Sequence, residues 1–75
     1  MKRNWAAFLA LRDLDREVYY NNGQWTTEPA LAQRFLDEGD VREIAVQLDL
    51  KNADMVFLDG EPPEVVGSLP IRISN

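Results

Sequence analysis

The strongest structural signal in the chain is the stretch Val18-Tyr19-Tyr20-Asn21-Asn22-Gly23-Gln24-Trp25-Thr26. Valine and tyrosine favour the extended conformation of a β-strand. The Asn-Gly dipeptide tolerates the positive φ angles that a tight turn between two antiparallel strands requires. The stretch therefore predicts a strand over Val18–Tyr20, a turn at Asn21–Gly23 and further extended chain over Gln24–Thr26.

The apolar run just before this stretch, from Trp5 to Leu11, fits two structures. As a helix it would be capped by Asn4 and would follow the 3.6-residue period. As a strand it would be apolar on both faces, which is typical of a buried central strand. The polar segment 12–17 is short enough to join two strands in a hairpin, and we therefore expect the strand.

Helical signals follow the stretch. We expect Thr27 to cap a short helix over residues 28–37 that ends at Gly39. The spacing of Asp40 and Glu43 then resembles a capping box and predicts a helix over residues 41–49. The alternation of Ile44, Val46, Leu48 and Leu50 with polar residues would also suit a strand, and the cap favours the helix.

Two extended segments lie nearer the end of the chain. Met55–Leu58 has the composition of a short strand, and residues 59–64 form a loop because two prolines exclude regular structure there. Leu69–Ile73 reads as a last strand, which Pro70 confines to the edge of a sheet. The sequence predicts a single α+β domain over residues 1–75, with an antiparallel sheet of three to four strands packed with one or two helices.

Charge is unevenly distributed along the 75 residues, whose net charge is −5. Residues 37–64 hold nine acids against two basic residues, a balance of −7, whereas residues 1–36 and 65–75 each carry +1. Such asymmetry suggests a surface that faces a partner. The simpler explanation is that dispersed acids keep a small protein soluble.

The residue types needed for common catalysis and metal binding are missing. The chain has no cysteine and no histidine, so we expect no enzyme activity, no cofactor and no structural zinc. The acidic segments 37–40 and 59–61 lack the spacing of a calcium loop. The longest apolar run, Trp5–Leu11, is far shorter than the ~20 residues of a spanning helix, so we expect no membrane segment and a cytoplasmic location.

The segment from Phe8 to Phe35 resembles a pattern found in short phage and mobile-element proteins. The residues that carry it are Phe8-Leu9-Ala10-Leu11-Arg12-Asp13, Val18-Tyr19-Tyr20-Asn21-Asn22-Gly23-Gln24-Trp25-Thr26 and Ala32-Gln33-Arg34-Phe35. Some small acidic phage proteins inhibit bacterial defence complexes, the anti-CRISPR proteins among them. The resemblance implies a class, a phage-encoded inhibitor acting in the cytoplasm of a bacterial host, and assigns no functional residue.

Two surfaces are candidate binding sites. In the leading hypothesis, an acidic set engages a protein partner with a basic surface, such as a CRISPR or other nucleic-acid-handling complex, by occupying sites meant for backbone phosphates. Its members are Asp37, Glu38, Asp40 and Glu43. In the alternative, an aromatic and basic hairpin binds single-stranded nucleic acid by stacking, through Arg12, Arg16, Tyr20 and Trp25. The pI near 4.5 opposes nucleic-acid binding.

Two further expectations depend on where the fold places the last strand and the start of the second helix. The open sheet edge near Leu69–Ile73 allows a third interpretation, a self-assembling structural protein. If Asp40 is the helix cap, Asp40→Ala should destabilise the domain by about 1 kcal/mol, and Asp37 and Glu38 should be free for a partner. Which of Tyr19 and Tyr20 faces outward is left open by the sequence.

Overall fold

The structure is a computed structural model that describes residues 8–71. Its elements are β1 (Phe8–Asp13), β2 (Val18–Asn21), β3 (Gln24–Thr26), a 3₁₀ turn (Pro29–Leu31), α1 (Glu38–Gln47), β4 (Ala53–Asp59) and β5 (Glu64–Ile71). The strands form one antiparallel sheet in the order β3-β2-β1-β4-β5. The α+β class is confirmed, and the sheet has five strands rather than three to four.

β1 is the central strand, as its two apolar faces predict. Ala10 and Leu11 are fully buried on opposite faces. The strand continues through Arg12 and Asp13, which the sequence assigned to the connector, because both residues pair with β2 on one side and with β4 on the other. The predicted strand residues 5–7 lie outside the described part of the chain.

The predicted turn between β2 and β3 is confirmed. Asn22 and Gly23 have φ angles of 49° and 89°, the two positive values that a two-residue hairpin turn requires. Tyr19 and Tyr20 point to opposite faces of the sheet: Tyr19 is buried, and Tyr20 is half-buried opposite Trp25.

The predicted helix over residues 28–37 is wrong. Only the three-residue 3₁₀ turn forms, and Thr27 does not cap it; the Thr26 hydroxyl instead accepts a hydrogen bond from the Glu28 N–H at 3.1 Å. Phe35 is extended and exchanges two backbone hydrogen bonds with Leu9, of 3.1 and 2.9 Å. A long-range pairing with β1 thus replaces the local helix, and Gly39 lies inside α1 rather than ending a helix.

α1 confirms the helical interpretation of the next segment, with a different start. The helix begins at Glu38, and its N-cap is Asp37, whose Oδ1 accepts a hydrogen bond from the Gly39 N–H at 2.9 Å. The prediction that Asp40 is the cap is wrong. Asp37 precedes a glycine by two residues and has an extended backbone, so its carboxylate reaches the first free amides before the chain arrives at Asp40.

β4 and β5 form a longer hairpin than predicted. β4 extends the expected Met55–Leu58 strand at both ends. β5 begins at Glu64, well before Leu69, and its register with β4 shifts by one residue opposite Phe57 and Leu58, which marks a β-bulge near Val66. β5 is an edge strand, as Pro70 predicts. Residues 72 and 73 lie outside the described part of the chain.

Each face of the sheet has its own core. On one face, α1 packs on β1 and β4; the buried side chains there are Leu11, Phe35, Val41, Ala45, Ala53, Met55 and Ile71. On the opposite face a second cluster holds Phe8, Ala10, Tyr19, Ala32, Val56 and Leu58. Burying both faces of so short a sheet is what a domain of this size needs to be stable.

The position of the helix cap gives a test of the fold. Asp37→Ala should lower the free energy of unfolding by about 1 kcal/mol, and the melting temperature by roughly 4–8 °C. Asp40→Ala should have less than half of this effect, because Asp40 interacts only with the helix dipole. Thermal unfolding followed by circular dichroism measures both changes.

Asp37→Asn is the matched control for the cap. Asparagine caps helices as well as aspartate does, so this variant should melt close to the unmodified protein. Equal melting temperatures for Asp37→Ala and Asp40→Ala would contradict the cap assignment.

Candidate functional site: an acidic surface at the start of the helix

The four predicted acidic residues do lie together, around the N-terminus of α1. We call this set, Asp37, Glu38, Asp40 and Glu43, the acidic surface. Asp37 is the cap, Glu38 and Asp40 are in the first turn, and Glu43 follows one turn later. All four are exposed. Carboxylates are favourable at this end of a helix because its free amides carry partial positive charge, so the helix stabilises the concentration of negative charge.

The acidic surface has cations near it but no ion pair to them in the described part of the chain: Arg34 lines the same depression as Asp40 and Glu43. Three other carboxylates form ion pairs: Asp54 with Arg12, Asp13 with Arg16, and Asp49 with Lys51. None of the four acidic-surface residues has an ion pair within residues 8–71. Arg42 is the one basic residue between positions 37 and 43, which leaves that segment with a net charge of −3 from four acids and one arginine.

An exposed leucine adjoins these acids. Leu36 precedes the cap residue and is 93% exposed, the largest exposed fraction among the large apolar side chains of the described structure. It borders an open groove at the end of the sheet whose floor includes Leu9 and Phe57 and whose rim includes Asp37 and Glu38. Leu36 was not predicted as a site residue, because the sequence signals placed it inside a helix that does not form.

The alternative site is only partly assembled, because Arg12 has a structural role. Its Nε donates a hydrogen bond of 2.9 Å to Asp54 Oδ1, and Nη2 bonds to the second carboxylate oxygen. The hydrogen bond to Asp54 raises the pKa of the Arg12 guanidinium, and partial burial opposes this increase. Arg12 is therefore charged, and its charge is matched within the sheet.

The remaining members of the alternative site contact one another. The Arg16 guanidinium lies 4.7 Å from the centre of the Trp25 ring, and Arg16 Nε donates to Asp13 Oδ2 at 2.9 Å. Tyr20 packs edge-on against Trp25, with 5.5 Å between ring centres, and also contacts the core. One face of Trp25 is thus covered by a cation, and Tyr20 is not free to stack on a base.

The described structure contains no cluster of three or more side chains suited to a metal ion. At the second acidic segment, Asp59 accepts a hydrogen bond of 2.9 Å from the Gly60 N–H and so serves the turn between β4 and β5. None of the helices between residues 8 and 71 combines the length and the apolar composition needed to cross a bilayer.

The Arg12–Asp54 pair gives a test of the structural role of this arginine. Asp54→Ala should lower the free energy of unfolding by about 1–3 kcal/mol, because it leaves the partly buried Arg12 side chain without its carboxylate partner. Arg12→Leu combined with Asp54→Leu should recover most of that loss, since no buried charge remains. Chemical denaturation of the three proteins measures the difference.

Two controls test this role of Arg12: the pH dependence of the stability lost in Asp54→Ala, and the removal of an exposed ion pair. A raised pKa of Arg12 in the folded state means that its stabilising effect is complete below the ordinary arginine pKa and is lost only at more alkaline pH. The Asp54→Ala deficit should therefore be the same between about pH 6 and pH 9. Lys51→Ala, which breaks an exposed pair, should change stability by less than about 0.5 kcal/mol. A double variant no more stable than Asp54→Ala would argue against this role.

Of the two predicted surfaces, the acidic one has no ion pair within the described structure, and the aromatic and basic one uses its charges internally. The expectation that Asp37 is free for a partner is wrong, because its carboxylate caps α1. No protein-family model, curated protein or solved structure matches this chain.

Proposed function

We propose that this protein is a non-enzymatic binding module whose acidic surface engages a basic surface of a nucleic-acid-handling protein. The observation that carries the proposal is the juxtaposition at the start of α1: four exposed carboxylates without ion pairs within residues 8–71, next to an almost fully exposed leucine. Arginine- and lysine-lined grooves that bind phosphates offer the complementary charge.

Leu36 favours a protein partner over free cations. An apolar side chain surrounded by charged groups matches the usual composition of a protein interface, in which a desolvated centre is enclosed by a polar rim. Exposed carboxylates in such a rim steer association and fix orientation, and the apolar centre contributes affinity. Small cations would gain nothing from Leu36.

The resemblance to phage and mobile-element proteins narrows the candidate partners. It supports an inhibitor of a bacterial defence complex, with CRISPR effector complexes as the first candidates and the bacterial cytoplasm as the location. In this proposal the acidic surface occupies sites where the complex would otherwise hold nucleic-acid phosphates. Competition between the protein and nucleic acid for the complex follows directly.

Binding is tested with substitutions that remove charge from the acidic surface without changing the helix cap, Asp37. Asp40→Asn combined with Glu43→Gln should weaken binding to a CRISPR effector complex by about 2- to 30-fold, because each exposed charge pair contributes roughly 0.2–1 kcal/mol. Leu36→Ala should weaken it by about tenfold if this side chain is the interface centre. Biolayer interferometry at low and high salt measures both, and binding should weaken as salt screens the charges.

Control variants test whether a loss of binding comes from the acidic surface itself or from the reduced net charge of the whole protein. Glu28→Gln combined with Glu61→Gln removes the same charge from exposed positions outside the acidic surface and should leave affinity nearly unchanged. Leu31→Ala is the control for Leu36→Ala, because Leu31 is also exposed, at 58%. Equal losses from both charge pairs, or a complex insensitive to salt, would overturn the assignment of the acidic surface. Failure of every candidate complex to bind at low salt would overturn the proposed partner class.

A further inference from the structure

The outer edge of β5 has a hydrogen-bonding pattern that follows from the pairing of β1. Leu9 directs both its N–H and its C=O to Phe35, away from β4. In an antiparallel pair the direction of these groups alternates with each residue, so Phe57, which lies opposite Leu9, directs its own groups away from β1 and toward β5. Met55 and Ala53 do the same.

The alternation then determines which β5 groups face outward. Gly67, Leu69 and Ile71 lie opposite Phe57, Met55 and Ala53 and bond to β4. The two residues between them, Ser68 and Pro70, must therefore direct their backbone groups to the open edge. Ser68 offers one N–H and one C=O, and Pro70 offers only a C=O because proline has no N–H. The bulge near Val66 interrupts this pattern at the other end.

This edge differs in charge from the rest of the molecule. The segment from Val65 to Ile71 contains no charged residue, in a chain whose net charge is −5. Charged residues, prolines and bulges on an edge normally limit pairing between two copies of a protein. β5 has no charge between Val65 and Ile71, and its proline and bulge confine pairing to the short stretch around Ser68. The opposite edge of the sheet, β3, is only three residues long. β5 is thus the edge at which two copies of this acidic chain can approach with the least repulsion.

We infer that two copies of this chain pair through β5 in antiparallel orientation, with Ser68 opposite Ser68 of the partner subunit. The two serines would exchange two backbone hydrogen bonds. This register places Pro70 opposite the bulged Val66, where the regular ladder ends in either copy and the missing N–H matters least. The inference is independent of the proposed function, since it involves no residue of the acidic surface.

The side chains fit the same register. Leu69 is 47% exposed on the face that carries α1, and it comes to lie opposite Gly67 of the partner subunit. Gly67 has no side chain, and the Phe57 ring borders this position so closely that a Cβ there would lie 3.4 Å from it. Each Leu69 would therefore pack over a glycine and beside a half-buried aromatic ring. Because the two-fold axis repeats the contact, the surface is complementary to itself, which an unrelated strand would match only by chance.

The Ser68 amide provides the direct test, because it is free in a monomer and hydrogen-bonded in the dimer. Amide hydrogen exchange of the whole chain is followed by NMR from about 10 µM to about 1 mM, the range expected for a small interface. We expect exchange at Ser68 to slow at least about tenfold with concentration, while Gly67 and Leu69, bonded to β4 in both states, change little. Analytical ultracentrifugation should show a species of twice the 8.6 kDa chain mass over the same range.

Substitutions in β5 test whether this strand is the edge through which two copies pair. Ser68→Pro removes the outward N–H without touching the bonds to β4 and should abolish the dimer, whereas Ser68→Ala should keep it. Leu69→Lys, which should also prevent pairing, covers the case in which the added proline unfolds the domain. Val46→Lys, at an exposed apolar position on α1, is its control. A monomer at the highest concentration, concentration-independent exchange at Ser68, or a dimer that survives Leu69→Lys would each overturn the inference.

Discussion

The two hydrogen bonds between Leu9 and Phe35 hold the architecture together. β2 pairs with the second half of β1 only, which would leave the first half with free backbone groups in a buried position. The chain after β3 returns to satisfy them. In doing so it places Ala32 in the core on one face and starts α1 on the other. The acidic surface stands where it does because the residues just before it are tied to the central strand.

Local signals in the sequence were enough to predict the first turn and the central parts of β1, β2 and β4, and they placed the start of β5 too late. The Asn-Gly turn and the apolar segments of β1 and β4 depend on neighbouring residues alone. The helix over residues 28–37 failed for the opposite reason: its signals were local, and the pairing of Phe35 with Leu9 joins positions far apart in the chain. Asp37 and Asp40 are three residues apart, and either could cap a helix. The path of the preceding chain decides that Asp37 is the cap.

In the candidate site too, features set by neighbouring residues were predicted, and features set by distant contacts were not. The acidic residues were predicted as a group because they all lie between positions 37 and 43, and a helix start keeps such near neighbours together. The exposure of Leu36 was not predictable, since it depends on tertiary contacts of the neighbouring Phe35. Arg12 looked like a free binding residue because its partner Asp54 lies 42 positions away in the chain.

Two groups of acids in this protein are stabilised in different ways. Those of the sheet, Asp13 and Asp54, have partners in Arg16 and Arg12 and take part in folding. Those at the start of α1 are supported by helix amides instead of by cations. A helix end supplies only partial charge, so it tolerates carboxylates without cancelling their field. This is how a chain with few basic residues can be stable and still present a strong negative potential in one place.

The two edge strands of the sheet differ in length, and this difference limits the size of any assembly. A sheet with two long, open edges can add copies without limit and grow into a fibre. Here one edge is eight residues long and the other only three, ending in a turn at Thr27 and Glu28. Once the long edges of two copies face each other, both ends of the combined sheet are short ones. In the proposed pair growth would stop at two copies, because only the short β3 edges would remain.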